Sequence, residues 1–549
     1  MKQVEIMVIG GGPAGLCAAL SAASLGAKVL LAERDEKPGG QLVKQTHKFF
    51  GSEKQYAGDR GIHIGDLLLE NAQADPNIEI WAGSTVLAIY EDGVVTAEHE
   101  GRHEKVRPER IIIAAGASEN FLAFPGNDLP GVYGAGAVQT LMNVGGVKPA
   151  QRVLMVGAGN IGLIVSYQLK QAGVEVAAVI RRSPVIDGYL VHASKIQRAG
   201  IPVLTRHTIL EAYGNGKVEG AVIAEVGKDK KPIPGKEQKI ECDAICLAVG
   251  LSPLTELAWQ AGCKMAYISE LSGHVPIVDE NLETTVRGIY CAGDSSGVEE
   301  ASSAMVEGRL AGISAAKSLG HGGDRADALQ EEAMDELKEL RAGPMGESIR
   351  AGIEKMHNSE CIIQNSESKT SAEKVSVRVD GQSVTSTLIN DGIPTKEDLA
   401  RVCPSEERLM KGPVAIVECF QEIPCDPCVK ACKRGAIAMP GHLSSLPVVN
   451  SELCNGCGLC ISLCPGLAIF VVDKTYSKDF ALVTLPFEYV PLPKPGQFTA
   501  GLDRAGRELG RFEVIKVASG GKKNMTRIIS LAVPHALAME VRNIRPEGS

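Results

Sequence analysis

Eight cysteines between Cys419 and Cys464 have the spacing of metal ligands. They run Cys419-x5-Cys425-x2-Cys428-x3-Cys432, then Cys454-x2-Cys457-x2-Cys460-x3-Cys464-Pro465. In the second run, three thiolates at short spacing wrap one [4Fe–4S] cube, and the fourth, before proline, ordinarily ligates the other cluster. Aligned on their fourth cysteines, the halves match: Cys425 with Cys457, Cys428 with Cys460, Cys432 with Cys464, and Ala436-Ile437 with Ala468-Ile469. This is an internal repeat. The expected ligand sets are Cys419, Cys425, Cys428 and Cys464 for one cube, and Cys432, Cys454, Cys457 and Cys460 for the other. Zinc, the alternative, needs four ligands and favours two CxxC pairs over two runs of four. The first run departs from the pattern by three extra residues after Cys419 and by Lys433 in the proline position. That asymmetry should give the cubes unequal potentials, in a direction that spacing does not settle.

Electrons need a source, and two glycine-turn motifs supply candidates. Residues 4–9 form an apolar strand that enters Gly10-Gly11-Gly12-Pro13-Ala14-Gly15, an alanine-rich helix, and a second strand, Lys28 to Ala32, ending at Glu33 and Arg34. Gly10 permits the tight turn, Gly12 the close approach of a pyrophosphate and Gly15 helix–strand packing, while Glu33 stands at the ribose position. A second unit repeats the pattern: strand Gln151 to Val156, Gly157-Ala158-Gly159-Asn160-Ile161-Gly162, a helix to about Ala172, and strand Val174 to Ile180. Its ribose position falls on Ile180, where no carboxylate is available, and Arg181 and Arg182 follow, which favours NADPH over NADH. Two arginines solvated after a strand end, or an adenine nucleotide held without a redox role, are the alternatives.

Composition narrows the class. At 549 residues, three or four domains are expected. A formal charge of −9 speaks against a nucleic-acid partner, and no run of eighteen apolar residues suggests a membrane span. The chain reads Met1 to Glu5 and then a strand, leaving no room for a secretory signal; with fifteen cysteines this points to ligation in a reducing cytoplasm. Cys242 and Cys246 read as one strand, too far apart to pair. Core packing is the better reading for them, as for Cys17 and Cys291, and no thiol pair is expected against a cofactor.

The strand-turns Ile111 to Ala117 and Gly288 to Asp294, with the loop Pro38-Gly39-Gly40-Gln41, resemble the motifs of the two-dinucleotide-binding-domain flavoproteins. The resemblance implies FAD at the first motif, met by Gly40, Gln41, Ala115, Gly116, Gly293 and Asp294; a helix N-cap is the competing role for Asp294. Within that group, Gly40 to Phe50 and Glu299 to Arg309 resemble the alpha-type subunits of heteromeric amino-acid and amine dehydrogenases, of the proline dehydrogenase, opine oxidase and hydrogen cyanide synthase type. Such a likeness implies a second flavoprotein subunit that oxidises the amine, a hetero-oligomer, and in some members an FMN at the subunit interface. The cysteine repeat resembles that of anaerobic ferredoxins.

The expected architecture is α/β: two nested Rossmann-like domains, an α+β ferredoxin-like domain and a β-rich C-terminal region. The boundaries are 1–146 and 250–320 for FAD, 147–249 for NAD(P), 321–402 for a connector, 403–475 for the clusters and 476–549 for the tail. Within the connector, Val375 to Leu388 reads as a hairpin about Asp380-Gly381; in the tail, Lys516, Lys522, Lys523 and Arg527 form a basic patch. Cys361 and Cys403 have no spacing partner. Lys44 and His47 read as members of a solvated loop, with an approach to the flavin from the Gly40 loop as the alternative. The expected function is an iron–sulfur flavoprotein oxidoreductase acting as the electron-transferring subunit of an amine or imino-acid dehydrogenase. The alternatives are a self-contained NAD(P)H:ferredoxin-type oxidoreductase and a non-catalytic electron-transfer or assembly subunit.

Overall fold

The computed structural model describes residues 1–358, 378–379, 382–383, 385–521 and 524–545. Each glycine-turn motif opens a parallel sheet. The first is ordered Ile78–Trp81, Val29–Ala32, Lys2–Ile9, Arg102–Ile113, with Ile289–Cys291 beside the end of Arg102–Ile113. Its central strand is apolar from Ile6 onward because both faces are covered, and Ile6, Met7 and Val8 are fully buried. The early part of Arg102–Ile113 pairs instead in an antiparallel meander with Val95–His99, which in turn pairs Thr85–Ile89.

Helices Pro13–Ser24 and Ala301–Ser318 cross on this sheet at backbone contact. A Cβ at Gly308 would stand 2.0 Å from the Ala14 carbonyl oxygen, and one at Gly312 2.2 Å from that of Ala18. The glycines are what let the second FAD-type segment, far off in sequence, close over the first.

The second sheet is parallel throughout, in the order Val203–Thr205, Glu175–Arg181, Arg152–Val156, Ala244–Leu247, Val132–Gly134. Val132–Gly134 lies upstream of residue 147, where the sequence places the start of this unit; three residues are too few to carry a periodic signal. Cys242 stands between strands Pro232–Glu241 and Ala244–Leu247, so it does not share a strand with Cys246. Both are buried free thiols, in different cores.

The cysteine repeat is visible as structure. Helices Pro427–Ala431 and Leu459–Leu463 occupy equivalent repeat positions, as do strands Ile437–Ala438 and Ile469–Asp473. The strands pair crosswise, Val414–Val417 with Ile469–Asp473 and Ile437–Ala438 with Val448–Val449. Ile469–Asp473 then pairs with Phe480–Phe487, so the β-rich tail continues the sheet of the cysteine unit. The full antiparallel order is Val414–Val417, Ile469–Asp473, Phe480–Phe487, Arg527–Pro534, Glu508–Ser519, Phe498–Leu502, Asn543–Ile544. Its apolar face shares one hydrophobic core with the second Rossmann-like unit. Glu418, next to Cys419, is buried between Arg504 at 2.7 Å and Arg542 at 2.6 Å, which hold its carboxyl down at about 2.

In the connector, helix Gly323–Leu340 packs on Ala301–Ser318 and Glu347–His357 on the turn Ser269–Leu271. Arg378–Val379 pairs antiparallel with Gln382–Ser383, but the expected hairpin does not run on to Leu388, which lies in helix Ser386–Asp391 behind the Thr385 cap. The hairpin's turn residues Asp380 and Gly381, Cys361, and Lys522 and Lys523 of the basic patch lie outside the described residues. Gly308→Ala forces a Cβ against the Ala14 carbonyl, so it should cost about 1–3 kcal/mol, measured as a lowered unfolding temperature by calorimetry.

Candidate functional site

The two glycine turns have the same local geometry. Gly10 has φ +100° and a Cβ there would stand 2.3 Å from the Ala114 carbonyl oxygen; Gly157 has φ +119° and 2.1 Å to that of Ala248. Gly15 and Gly162 press on the carbonyls of Gly10 and Gly157, at 1.8 and 2.1 Å for a Cβ. Only the middle glycines look outward. A Cβ at Gly12 meets nothing closer than 3.9 Å, and one at Gly159 nothing within 4 Å. These two are the N-caps of helices Pro13–Ser24 and Asn160–Gln171, without side-chain capping bonds. First-turn N–H groups therefore face open space, an arrangement suited to phosphate.

That open space is one cavity of about 1500 Å³. From the first motif it is lined by Gly10, Gly12, Pro13, Ala14, Glu33 and Arg34, and from the distant loops by Gly40, Gln41, Ala115, Gly116, Gly293 and Asp294. Gly159, Asn160, Ile161, Gly162 and Arg181 line it from the second motif. Gly15 and Gly157 serve in the packing behind it. Arg182 turns away: its guanidinium donates to the Lys230 carbonyl at 2.6 Å. Arg181 pairs with Asp187, a second cavity residue.

Hydrogen bonds hold the wall in place. Glu33 accepts from the Gly11 N–H at 2.6 Å and the Asp35 N–H at 2.9 Å. Ser295 ties the two small-residue turns together, accepting from the Gly116 N–H at 2.8 Å. Asn160 joins the two dinucleotide units, donating to Glu300 at 2.7 Å and accepting from the Tyr189 N–H at 2.7 Å. Burial pushes the Glu300 carboxyl up, and it pushes Asp294 up to about 6. Arg341 balances the acidic wall, donating to Glu299 at 2.6 Å and to Glu307. Lys44 and His47 are half-buried and line the cavity, in place of the solvated loop expected. Burial lowers the Lys44 ammonium, and burial followed by the nearby Lys195 and Arg60 cations lowers His47 to about 3.

The cysteines gather in two overlapping sets. Cys425 is grouped with Cys419, Cys464 and Cys428, and Cys460 with Cys454, Cys457 and Cys464. Burial, then neighbouring thiols, pushes the Cys419 and Cys460 thiols up to about 12. Ionised thiols crowded in this way would need cationic charge among them, which an iron–sulfur cluster supplies when bound. Backbone N–H groups already point at sulfur in repeat-related pairs: Ala436 to Cys432 Sγ at 3.2 Å and Ala468 to Cys464 Sγ at 3.4 Å. Among the described residues no three His, Cys, Asp or Glu side chains are gathered around a single-ion position.

The first set abuts the cavity. Gly51 bridges to Cys425, and its carbonyl accepts from the Asp426 N–H at 3.1 Å. Phe50, Tyr189 and Met345 line the cavity and pack with Cys419, Cys425 and Cys464. Cys457 of the second set is exposed, flanked by exposed Leu453 and Leu459.

Residues 4–308 match the family model described as pyridine nucleotide-disulphide oxidoreductase, over half of the chain. The chain belongs to this family. Residues 447–470 match a 4Fe-4S binding domain. The chain is thus an oxidoreductase that combines a Rossmann-like FAD/NAD(P) fold with a C-terminal iron–sulfur domain. It is 30% identical over 337 residues to an opine oxidase subunit of Agrobacterium tumefaciens, covering 57% of this chain and 66% of that one. It is 26% identical to the alpha subunit of sarcosine oxidase from Corynebacterium sp., covering 58% of this chain and 33% of the relative. Less than two thirds of either relative's length is spanned. L-Proline dehydrogenase from P. horikoshii superposes with a TM-score of 0.48 at 20% identity, over 65% of this chain and 68% of that one. The family's name mentions disulphide, yet the cysteines described in residues 1–300 are free and buried. No helix among the described residues is long and apolar enough to cross a membrane.

Tyr189, Asp187 and Arg341 carry no motif and become site residues only through the fold, whereas Phe50 and Glu300 lie in the two stretches that carry the family resemblance without being singled out there. Asp294 offers a pH test. An acid whose folded pKa is raised from 3.8 to about 6 costs nothing at low pH, and its penalty grows through that interval and is full above it. Asp294→Asn should therefore stabilise flavin-free protein by about 2–3 kcal/mol above pH ~7 and leave it unchanged near pH ~4, measured by thermal unfolding.

Proposed function

We propose that this chain is the electron-transferring subunit of a heteromeric amine or imino-acid dehydrogenase. In this reading residues 1–146 and 250–320 hold FAD, and 147–249, joined by the strand Val132–Gly134, hold a nicotinamide nucleotide. Residues 403–475 hold two [4Fe–4S] clusters, with 321–402 as connector and 476–549 as an extension of the cluster sheet. The observation that carries the proposal is the single cavity that both glycine turns open into and whose wall at Phe50 and Tyr189 backs onto Cys419, Cys425 and Cys464. FAD, when bound, exchanges two electrons with a nicotinamide or with a partner flavin and one at a time with an iron–sulfur cluster.

The chain's own residues do the holding. N–H groups of Gly12 and Ala14 (Pro13 has none) and of Gly159 to Gly162 receive the two pyrophosphates, and Glu33 and Arg34 receive the adenosine end of the first. Gly40, Gln41, Ala115, Gly116, Gly293 and Asp294 close around the flavin. The Asn160–Glu300 hydrogen bond keeps the nicotinamide unit against it. Phe50 and Tyr189 exclude water between the cavity and the ligands Cys419, Cys425, Cys428 and Cys464. Cys432, Cys454, Cys457 and Cys460 hold the outer cube, at the face where a ferredoxin or other acceptor reaches the exposed Cys457. A second flavoprotein subunit oxidises the amine, with an FMN at its interface with this chain. The relatives' names, opine oxidase and sarcosine oxidase, indicate the substrate class.

Selectivity for the 2′-phosphate of NADPH then rests on Arg181, since Arg182 is bound to Lys230. Arg181 is partly neutralised by Asp187. The NADPH preference should be small, within about tenfold (1.4 kcal/mol). Asp187→Asn should widen it, measured by competitive equilibrium binding of the two nucleotides.

The full proposal is tested by purification from the native host. Amine-dependent dye reduction should appear only with a co-purifying flavoprotein subunit, and anaerobic protein should carry about eight irons per chain, as two cubes require. Brisk NAD(P)H-driven reduction of ferredoxin by the chain alone would replace the subunit reading, and about four irons would leave one cube.

A further inference from the structure

The loop that follows Gly40 does more than line the cavity. After His47 it sends Lys48 in the opposite direction, into the cysteine unit, where the residue is 3% exposed. Lys48 Nζ donates to the Ser462 carbonyl at 2.6 Å and to the Thr526 hydroxyl, and lies 3.7 Å from Glu488 Oε1. Thr526 in turn donates to Glu488 at 2.5 Å, and Arg60 pairs with the same carboxylate at 2.7 Å. Ser462 is in the last turn of helix Leu459–Leu463, two residues before Cys464. A cation there is also favoured by the carbonyl end of the helix.

Lys195 adds a third buried cation to this group, and its nearby charges include Glu488, Lys48 and Cys464. Three buried cations thus face one buried carboxylate beside Cys464. The cations around the other cysteine set are placed differently. Arg408 is buried there and donates to the Cys454 carbonyl at 2.7 Å, while Lys433 and Arg434 stand exposed, where water and salt screen them.

We infer that Lys48 is a positioning and tuning residue: it docks the flavin unit onto the cluster unit and raises the potential of the cube at Cys419, Cys425, Cys428 and Cys464. Reduction adds negative charge to a thiolate-ligated cluster, and a buried cation stabilises that charge far more than an exposed one. The charge asymmetry that the sequence suggests at Lys433 is therefore buried at Lys48, on a loop remote in sequence. Because the cation is supplied by the flavin unit, the inner cube becomes an electron acceptor only when the two units are in place. This inference rests on the two-cube reading above.

The test is an anaerobic redox titration of the full chain, followed by electron paramagnetic resonance, with iron and flavin content measured on every sample. Lys48→Met should shift the inner cube's midpoint negative, by tenfold or more in its oxidised-to-reduced ratio, about 59 mV for one electron. The outer cube should move less, and Lys48→Arg should retain the wild-type value. Glu488→Gln, which removes the compensating carboxylate, should shift the inner cube the opposite way. If Lys48→Met fails to assemble its clusters, Glu488→Gln and Lys48→Arg decide. Shifts of the same sign in Lys48→Met and Glu488→Gln, equal movement of both cubes, or an unmoved midpoint would overturn the role of Lys48. Wild-type protein with a single cube would instead overturn the two-cube reading.

Discussion

The loop from Gly40 to Gly51 is the segment on which the rest of this structure depends, because it belongs to two sites at once. Its start lines the cavity at Gly40, Gln41 and Lys44, and its end bridges backbone to backbone from Gly51 to Cys425. Between them, Phe50 packs against Tyr189 at 5.1 Å between ring centroids, and Lys48 is anchored in the cysteine unit. A one-electron path across a protein needs short, dry separations. Here a single short stretch of backbone, hydrogen-bonded at Gly39 and at Gly51, joins the cavity to the first cysteine set.

Duplication organises the remainder. The two glycine turns share the same three glycine roles: a left-handed turn against a neighbouring strand, an open cap and a packed third position. The cysteine halves likewise share helices, strands and N–H to sulfur bonds. In both cases the copies have diverged where charge is involved. The first dinucleotide unit presents Glu33, held by two backbone N–H groups, while the second presents Arg181 against Asp187. The first cysteine set is packed against Phe50 and Tyr189 and has buried Lys48 and Lys195 near Cys464, while the second reaches solvent at Cys457. Copies of one backbone geometry are thus fitted to different electrostatic tasks.

The shared core of the second Rossmann-like unit and the C-terminal sheet explains why the tail belongs with both. Neither sheet face is covered by its own helices alone, and Phe470, Val483, Leu485 and Ile529 on one side meet Met155, Leu163 and Ile196 on the other in one apolar cluster. Buried Glu418, between Arg504 and Arg542, then pins the last strands beside Cys419. Taking out either arginine would leave a buried carboxylate short of a partner, which is far more costly than losing a surface pair.

Much of this was legible in the residue order. Strand, Gly-x-Gly-x-x-Gly and helix form a local unit, because the turn, the cap and the packing glycine all act within a few residues of one another; the helix over Ala301 to Ser318 is likewise a local consequence of its small, apolar residues. Cysteine spacing is similar, since ligand geometry constrains short loops directly. What the order could not carry was adjacency between remote segments. The pairing of Val132–Gly134 in the second sheet, the turn of Arg182 towards Lys230, the meeting of Asn160 with Glu300 and the burial of Lys48 beside Ser462 depend on contacts between residues tens to hundreds of positions apart. Sequence by itself determined which chemistries are present, through short-range geometry. Only the tertiary structure decided how they are joined, because desolvation and charge act through space and not along the chain.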